Sequence, residues 1–143
     1  MPKQIKDEKV GAAVSFVLFA VVTFAESRFM GGRALFLFAG ATLGTIMMMN
    51  VWMRIWPNQR KIIAGVKGTA PAPDAAVPAV AGLRSKHNTY MSVPLIFFMV
   101  SNHFPTVYGN DYAWVIALVF IAVGWGITKF LYNKAGTPAP AQY

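Results

Sequence analysis

The 143 residues include no cysteine and only five acidic side chains. Without cysteine sulfur they cannot supply disulfides, thiolate zinc sites, iron–sulfur clusters or the covalent attachment of a c-type haem. Charged residues make up 13% of the sequence and hydrophobic residues 56%. A soluble domain usually carries about a quarter charged residues. This shortage of charge predicts a protein whose main solvent is lipid.

Apolar runs separated by polar segments predict an all-α integral membrane bundle of about four transmembrane helices. The runs cover about residues 10–30, 34–56, 88–104 and 112–131. A basic terminus, 1–9, precedes this 10–132 domain, and a flexible tail, 133–143, follows it. Residues 57–87 are rich in proline and glycine and predict a loop, with room for one short amphipathic helix near 59–66.

The amino-terminal segment also needs comparison with a signal peptide, because lysines precede its apolar run. The run is long, however, and Glu26, Ser27 and Arg28 follow it without a small-residue cleavage pattern. A retained first helix is the better interpretation.

Lysine and arginine lie mainly on one side of the predicted bundle. The side with both termini and the loop holds 11 of them, and the other side holds only Arg28 and Arg33. The positive-inside rule therefore places both termini in the cytoplasm. The net charge of +8 lies at helix ends, so it indicates the lipid bilayer, and not nucleic acid, as the partner.

The second apolar run contains Gly40 and Gly44, which form a GxxxG pair. Small residues four apart let two helices approach closely in lipid. One interpretation is an interface with another subunit or a second copy of the chain. The other, which we favour, is packing against a neighbouring helix of the same chain.

Polar side chains are concentrated in the second and third helices. Because polar groups at membrane depth are costly, they usually face the bundle interior and mark a functional site. Helices one and four, by contrast, are nearly featureless apolar spans. The polar candidates are Asn50, Arg54, Asn58, Gln59, Asn88 and Asn102, together with His87 and His103, the two histidines of the sequence.

The histidines are candidate haem or metal ligands, although structural hydrogen bonding is the more common role of such residues. His87 and His103 are 16 residues apart. On one helix they would be separated by roughly 24 Å, so they cannot share one metal ion within a chain. A b-type haem at His87 would need its second ligand from Met47–Met49, from a second copy or from a partner subunit.

Two long polar segments resemble the urate oxidase N-terminal domain family, the membrane domain of bacterial membrane-bound urate hydroxylases. They are NVWMRIWPNQRK at 50–61 and RSKHNTYMSVP at 84–94, continuing to SNH at 101–103. The resemblance spans about residues 32–129. The matching site positions are Asn50, Pro57, Asn58, Gln59, Arg60, His87, Asn88 and His103.

This resemblance implies a multi-pass protein of the bacterial inner membrane. In the family, a cytochrome c domain follows the membrane region, and urate is oxidised to 5-hydroxyisourate. These 143 residues contain no CxxCH motif, so a cytochrome would be a separate partner.

Three functional hypotheses follow. The first is an electron-transfer-associated or accessory subunit of a larger membrane redox complex, without autonomous catalysis. The second is a urate-oxidising module that works with a separate cytochrome c. The third, a small-solute transporter, is weaker because the sequence shows no inverted repeat.

Overall fold

Four long helices account for most of residues 8–136, the part of the chain that the computed structural model describes. The elements are α1 (Glu8–Ser27), α2 (Gly32–Asn50), a π-helical turn (Val51–Ile55), α3 (Trp56–Val66), α4 (Ala76–Ser101), the short α5 (Pro105–Tyr108) and α6 (Ala113–Ala135). No strand occurs between residues 8 and 136. The all-α prediction is therefore confirmed, whereas residues 1–7 and 137–143 of the two predicted terminal segments lie outside the described part.

Three helical segments are long and apolar enough to cross a membrane: Val10–Ser27, Gly32–Val66 and Ala113–Ala135. The 26 residues of α4 are also long enough, but its first half carries the polar run 84–90. A bilayer core about 30 Å thick needs about 20 helical residues. The chain is thus a helical membrane protein with about four helices of spanning length.

The core lies where α2, α4 and α6 meet. Phe36 of α2 and Phe98 of α4 are fully buried, and their rings meet edge to face at 5.5 Å. Ala117 and Ile121 of α6 complete the same buried cluster. Edge-to-face aromatic pairs are favourable beyond the area they bury, so this layer fixes how the three helices are arranged.

Helix α1 lies at the periphery of this core. Its Phe16 ring meets Trp125 at 5.8 Å and its Phe24 ring meets Trp114 at 5.3 Å, both on α6. Only 6% of the Val10–Ser27 segment is buried. Most of the surface of α1 is therefore left for lipid.

Proline and glycine allow α4 and α6 to pack closely. Pro94 is buried inside α4, and a Cβ placed on Gly124 of α6 would lie 2.9 Å from two atoms of the Pro94 ring. Only a residue without a side chain leaves room for this approach. Small residues are expected at helix interfaces in lipid for this reason.

The predicted loop at residues 57–87 is wrong in extent, because most of it is helical. The connection without helix covers only residues 67–75. Pro57 does not end the helix, since it occupies the first turn of α3, where a backbone N–H needs no partner in the same helix. Pro78 stands in the first turn of α4 and is tolerated for the same reason.

Candidate functional site

A pair of asparagine amides joins α2 to α4 at the end of the core. The Nδ2 of Asn50 donates to Oδ1 of Asn88 at 2.9 Å, and Nδ2 of Asn88 donates to the carbonyl oxygen of Met47 at 3.0 Å. Both side chains are half-buried. Because an amide without a partner at this depth would be costly, the two contacts fix the position of α4 against the last turn of α2.

The π-helical turn begins at the residue after Asn50. The backbone N–H of Trp56 donates to the carbonyl of Val51, five residues earlier, instead of four. This widened turn adds one residue and so rotates everything after it by about 100° relative to an uninterrupted α-helix. Single π-helical turns occur frequently at functional sites, and this one lies directly beside the asparagine pair.

Helix α6 reaches the same region through hydroxyl and ring contacts. Tyr132 donates to Oγ1 of Thr89 at 3.3 Å, and Thr89 in turn donates to the carbonyl of Ser85 at 3.2 Å. The Tyr132 ring is stacked on Tyr90, with ring centres 5.9 Å apart. Two sets of polar contacts, one with α2 and one with α6, thus lie on neighbouring residues of α4. We call the residues Asn50, His87, Asn88, Thr89 and Tyr132 the polar centre; of these, Thr89 and Tyr132 are exposed.

The two histidines lie far apart, since His87 is near the middle of α4 and His103 lies just beyond its end. His87 is half-buried and directly precedes Asn88, whereas His103 is exposed and follows the end of α4. Within the described residues, no group of three or more His, Cys, Asp or Glu side chains could hold a metal ion. Because His87 and His103 are 16 residues apart on one helix and just after it, they cannot both ligate one haem within a chain.

The methionine run does not supply an evident second ligand to His87. Met47 is half-buried, and its carbonyl oxygen is the acceptor for Asn88. Met48 and Met49 are exposed, at 54% and 46%. The run thus presents most of its side-chain surface to lipid.

The remaining predicted residues are spread around the structure. Arg54 and Gln59 are exposed, and Asn58 is half-buried on α3. Asn102 lies at the far end of α4, where its Nδ2 donates to the Phe98 carbonyl at 2.7 Å and its Oδ1 is buried without a hydrogen-bond partner. Asn102 is therefore not part of the polar centre.

Gly40 and Gly44 both face α4. A Cβ on Gly40 would lie 3.2 Å from the Cβ of Phe98, and one on Gly44 would lie 3.9 Å from Leu95. The GxxxG pair of α2 thus makes a helix contact inside the chain.

Sequence reasoning missed the polar residues of α1 and α6. Thr23 and Thr128 are buried, and Thr128 donates to the Gly124 carbonyl at 2.9 Å. Together with Tyr132, they correct the expectation that helices one and four are featureless. No motif marks them, because single hydroxyl residues occur throughout apolar spans and only the folded contacts distinguish them.

The fold and the polar centre define a small helical membrane protein in which polar residues of α2 and α6 contact one polar stretch of α4. The family model for the urate oxidase N-terminal region matches residues 3–142. The chain belongs to this family, and the match extends well beyond the 32–129 predicted from the two polar segments. No match was found among curated proteins or among solved structures.

Proposed function

We propose that the chain is the membrane module of a urate-oxidising redox system and that it works with a separate electron-accepting protein. The observation that carries this proposal is the Asn50–Asn88 contact, since it joins the two segments that resemble the family. The family match over residues 3–142 supports it as well.

The reaction defines what such a module must do. Urate and one water give 5-hydroxyisourate, two protons and two electrons. The electrons pass to an acceptor of the cytochrome class, and the protons need a base near the oxidised carbon. His87 is the titratable side chain of the polar centre best suited to this role, because imidazole changes its protonation near neutral pH. Asn88 follows it on α4, and its Nδ2 carries a second N–H besides the one donated to Met47, which can donate to a carbonyl group of a purine.

The test is urate consumption by membranes that contain the full chain, with oxidised cytochrome c or a soluble dye as the acceptor. His87→Gln removes the base and is expected to lower kcat at least a hundredfold, the usual contribution of a positioned base. His103→Gln is the matched control, because it changes the exposed histidine just beyond the end of α4, away from the polar centre, and is expected to leave kcat unchanged. The proposal is contradicted if the wild-type membranes consume no urate with either acceptor, or if both variants lose equal activity.

A noncatalytic accessory subunit is the second candidate. The exposed surface of α1 favours it, because only 6% of Val10–Ser27 is buried and a larger complex could cover the rest. Mild detergent extraction tests this candidate. Co-purification of a large complex at fixed stoichiometry, together with no urate consumption by the chain and an added acceptor, would support it.

A further inference from the structure

Helix α3 and the loop that follows it enclose an open groove, which we call the α3 groove. Its rim carries the two cations Arg60 and Lys61, and the rest of its lining is apolar. The apolar lining residues are Pro57, Ala64, Ala70, Pro71 and Pro73. The groove therefore combines positive charge with an uncharged, apolar wall.

The loop wall is held in place by several contacts with the end of α3. The backbone N–H groups of Thr69 and Ala70 both donate to the Ala64 carbonyl, at 3.0 and 3.3 Å, and the Thr69 hydroxyl donates to the same oxygen at 3.1 Å. Pro73 packs so closely on Gly65 that a Cβ there would lie 2.9 Å from its ring. Because the wall is held this way, the groove is preformed, and a ligand need not order the loop when it binds.

Two exposed tryptophans indicate the depth of the groove in a bilayer. Trp52 is 72% exposed and Trp56 is 56% exposed, and both lie at the end of the apolar run 34–56. Exposed tryptophan is typical of the membrane–water interface. Arg60 is four residues beyond Trp56, or about 6 Å along the axis, and the headgroup layer is roughly 5–7 Å thick on each side. The cations of the groove thus lie at headgroup depth.

The charges around the groove favour an anion. Lys67 is exposed at the end of α3, and none of the lining residues is acidic. The acidic residue that follows the loop, Asp74, accepts a hydrogen bond from the Ala76 N–H at 2.8 Å and so caps α4. An anion at headgroup depth that also contacts apolar walls is an amphiphile.

We propose that the α3 groove binds an anionic phospholipid, with its phosphate between Arg60 and Lys61 and its glycerol and upper acyl chain along Pro57 and Ala64. Basic sites between helices at a membrane surface bind such headgroups. The proposal concerns a site separate from the polar centre and does not depend on urate oxidation.

Binding is measured by native mass spectrometry of the full, delipidated chain in neutral detergent, titrated with phosphatidylglycerol, phosphatidylcholine or inorganic phosphate. We expect phosphatidylglycerol to bind at least tenfold more tightly than phosphatidylcholine, and inorganic phosphate to leave the chain unoccupied at the same concentrations. In R60Q/K61Q, phosphatidylglycerol should bind about 25-fold more weakly, because each basic residue near an anionic headgroup contributes about fivefold.

The control is R28Q/R33Q, which removes two exposed arginines near the other end of α2 and should leave binding unchanged. A64L keeps both cations but fills the apolar wall, so it should also weaken phosphatidylglycerol. The proposal is overturned if both lipids bind equally or if R60Q/K61Q and R28Q/R33Q lose affinity equally. It is also overturned if inorganic phosphate alone competes with the lipid.

Discussion

Asn88 is the residue on which the contact between α2 and α4 at the polar centre depends, because its amide both accepts from Asn50 and donates to the Met47 carbonyl. Asn88→Ala removes both hydrogen bonds and leaves the Asn50 amide without its acceptor. A polar contact in a membrane interior contributes about 0.6 kcal/mol on average and up to about 1.7 kcal/mol. We expect a loss of about 1–2 kcal/mol in the free energy of unfolding, measured in detergent with a chemical denaturant.

A double-mutant cycle separates the amide contact from general loss of packing. Asn50→Ala, Asn88→Ala and the double variant should give a coupling free energy of about 0.5–1.5 kcal/mol, as expected for side chains in direct contact. Asn110→Ala, in an exposed segment, is the control and should show no coupling with Asn50→Ala. Additive losses from Asn50 and Asn88 would show that the observed contact contributes no stability.

Gly124 and Gly126 give a matched pair on α6. A methyl group on Gly124 would lie 2.9 Å from Pro94, whose ring cannot rotate away, whereas nothing lies within 4 Å of the corresponding position on Gly126. Gly124→Ala should therefore cost about 1–3 kcal/mol through overpacking. Gly126→Ala should be neutral or slightly stabilising, because alanine has the higher helix propensity. The measurement is the thermal unfolding midpoint of the two variants under the same condition. Equal midpoints would contradict the close approach of Gly124 to Pro94.

The limits of sequence reasoning are clear at the polar centre. Asn50 could be selected because it is an amide within an apolar run, and Asn88 because it lies in the polar run 84–90 at the start of the third predicted span. An amide in lipid needs a partner. Their mutual contact could not be predicted, since it depends on how α2 and α4 are aligned. Tyr132 gave no signal, because an aromatic residue near the end of a span is equally typical of the interface.

The four apolar runs correctly predicted the four long helices, but the helix ends that were predicted from proline positions differ from those in the structure. The second run was predicted to end at residue 56, before Pro57, yet the structure continues through a π-helical turn into α3. The alanine-rich segment before residue 84 was assigned to a loop, although alanine is the strongest helix former and Pro78 is tolerated in the first turn. Proline is tolerated in the first turn of a helix, so from sequence alone a proline can mark either the end of one helix or the start of the next.

The turn after α3 contains the one residue with positive φ among the described residues, Gly68 at φ +69°. An L-residue with a side chain is strained by about 1–2 kcal/mol in this conformation. Gly68→Ala should lower the free energy of unfolding by about 1 kcal/mol, and it should also weaken the loop that forms a wall of the α3 groove.

Gly82→Ala is the control for this prediction, because Gly82 is helical and has open space around it. It should be neutral or stabilising by up to about 1 kcal/mol. Hydrogen exchange of the Thr69 and Ala70 amides provides the local measurement. Unchanged protection and stability in Gly68→Ala would contradict the turn as described.

The whole molecule extends beyond the membrane on one side. The segment Gly32–Val66 has 35 residues, about 52 Å of helix against a hydrocarbon core about 30 Å thick. Helix α3 packs on α4, so these two helices form a hairpin that ends in residues 67–75. The hairpin carries Arg60, Lys61 and Lys67 on α3 and at its end. The length of the segment predicts that the hairpin extends out of the hydrocarbon core, and its positive charge predicts that it does so on the cytoplasmic side.

The orientation of the whole chain across the membrane can be tested directly, because the sequence has no cysteine and single cysteines can be introduced as labels. Single cysteines replace Ala72 in the hairpin loop and Asn110 near the opposite end, both exposed positions. The 11-to-2 distribution of basic residues predicts that the hairpin lies in the cytoplasm. In intact bacterial cells, a membrane-impermeant maleimide should label Asn110→Cys at once and label Ala72→Cys only after lysis. The chain without cysteine is the negative control. The reverse labelling pattern would contradict the prediction and would mean that the hairpin and its α3 groove face the outside.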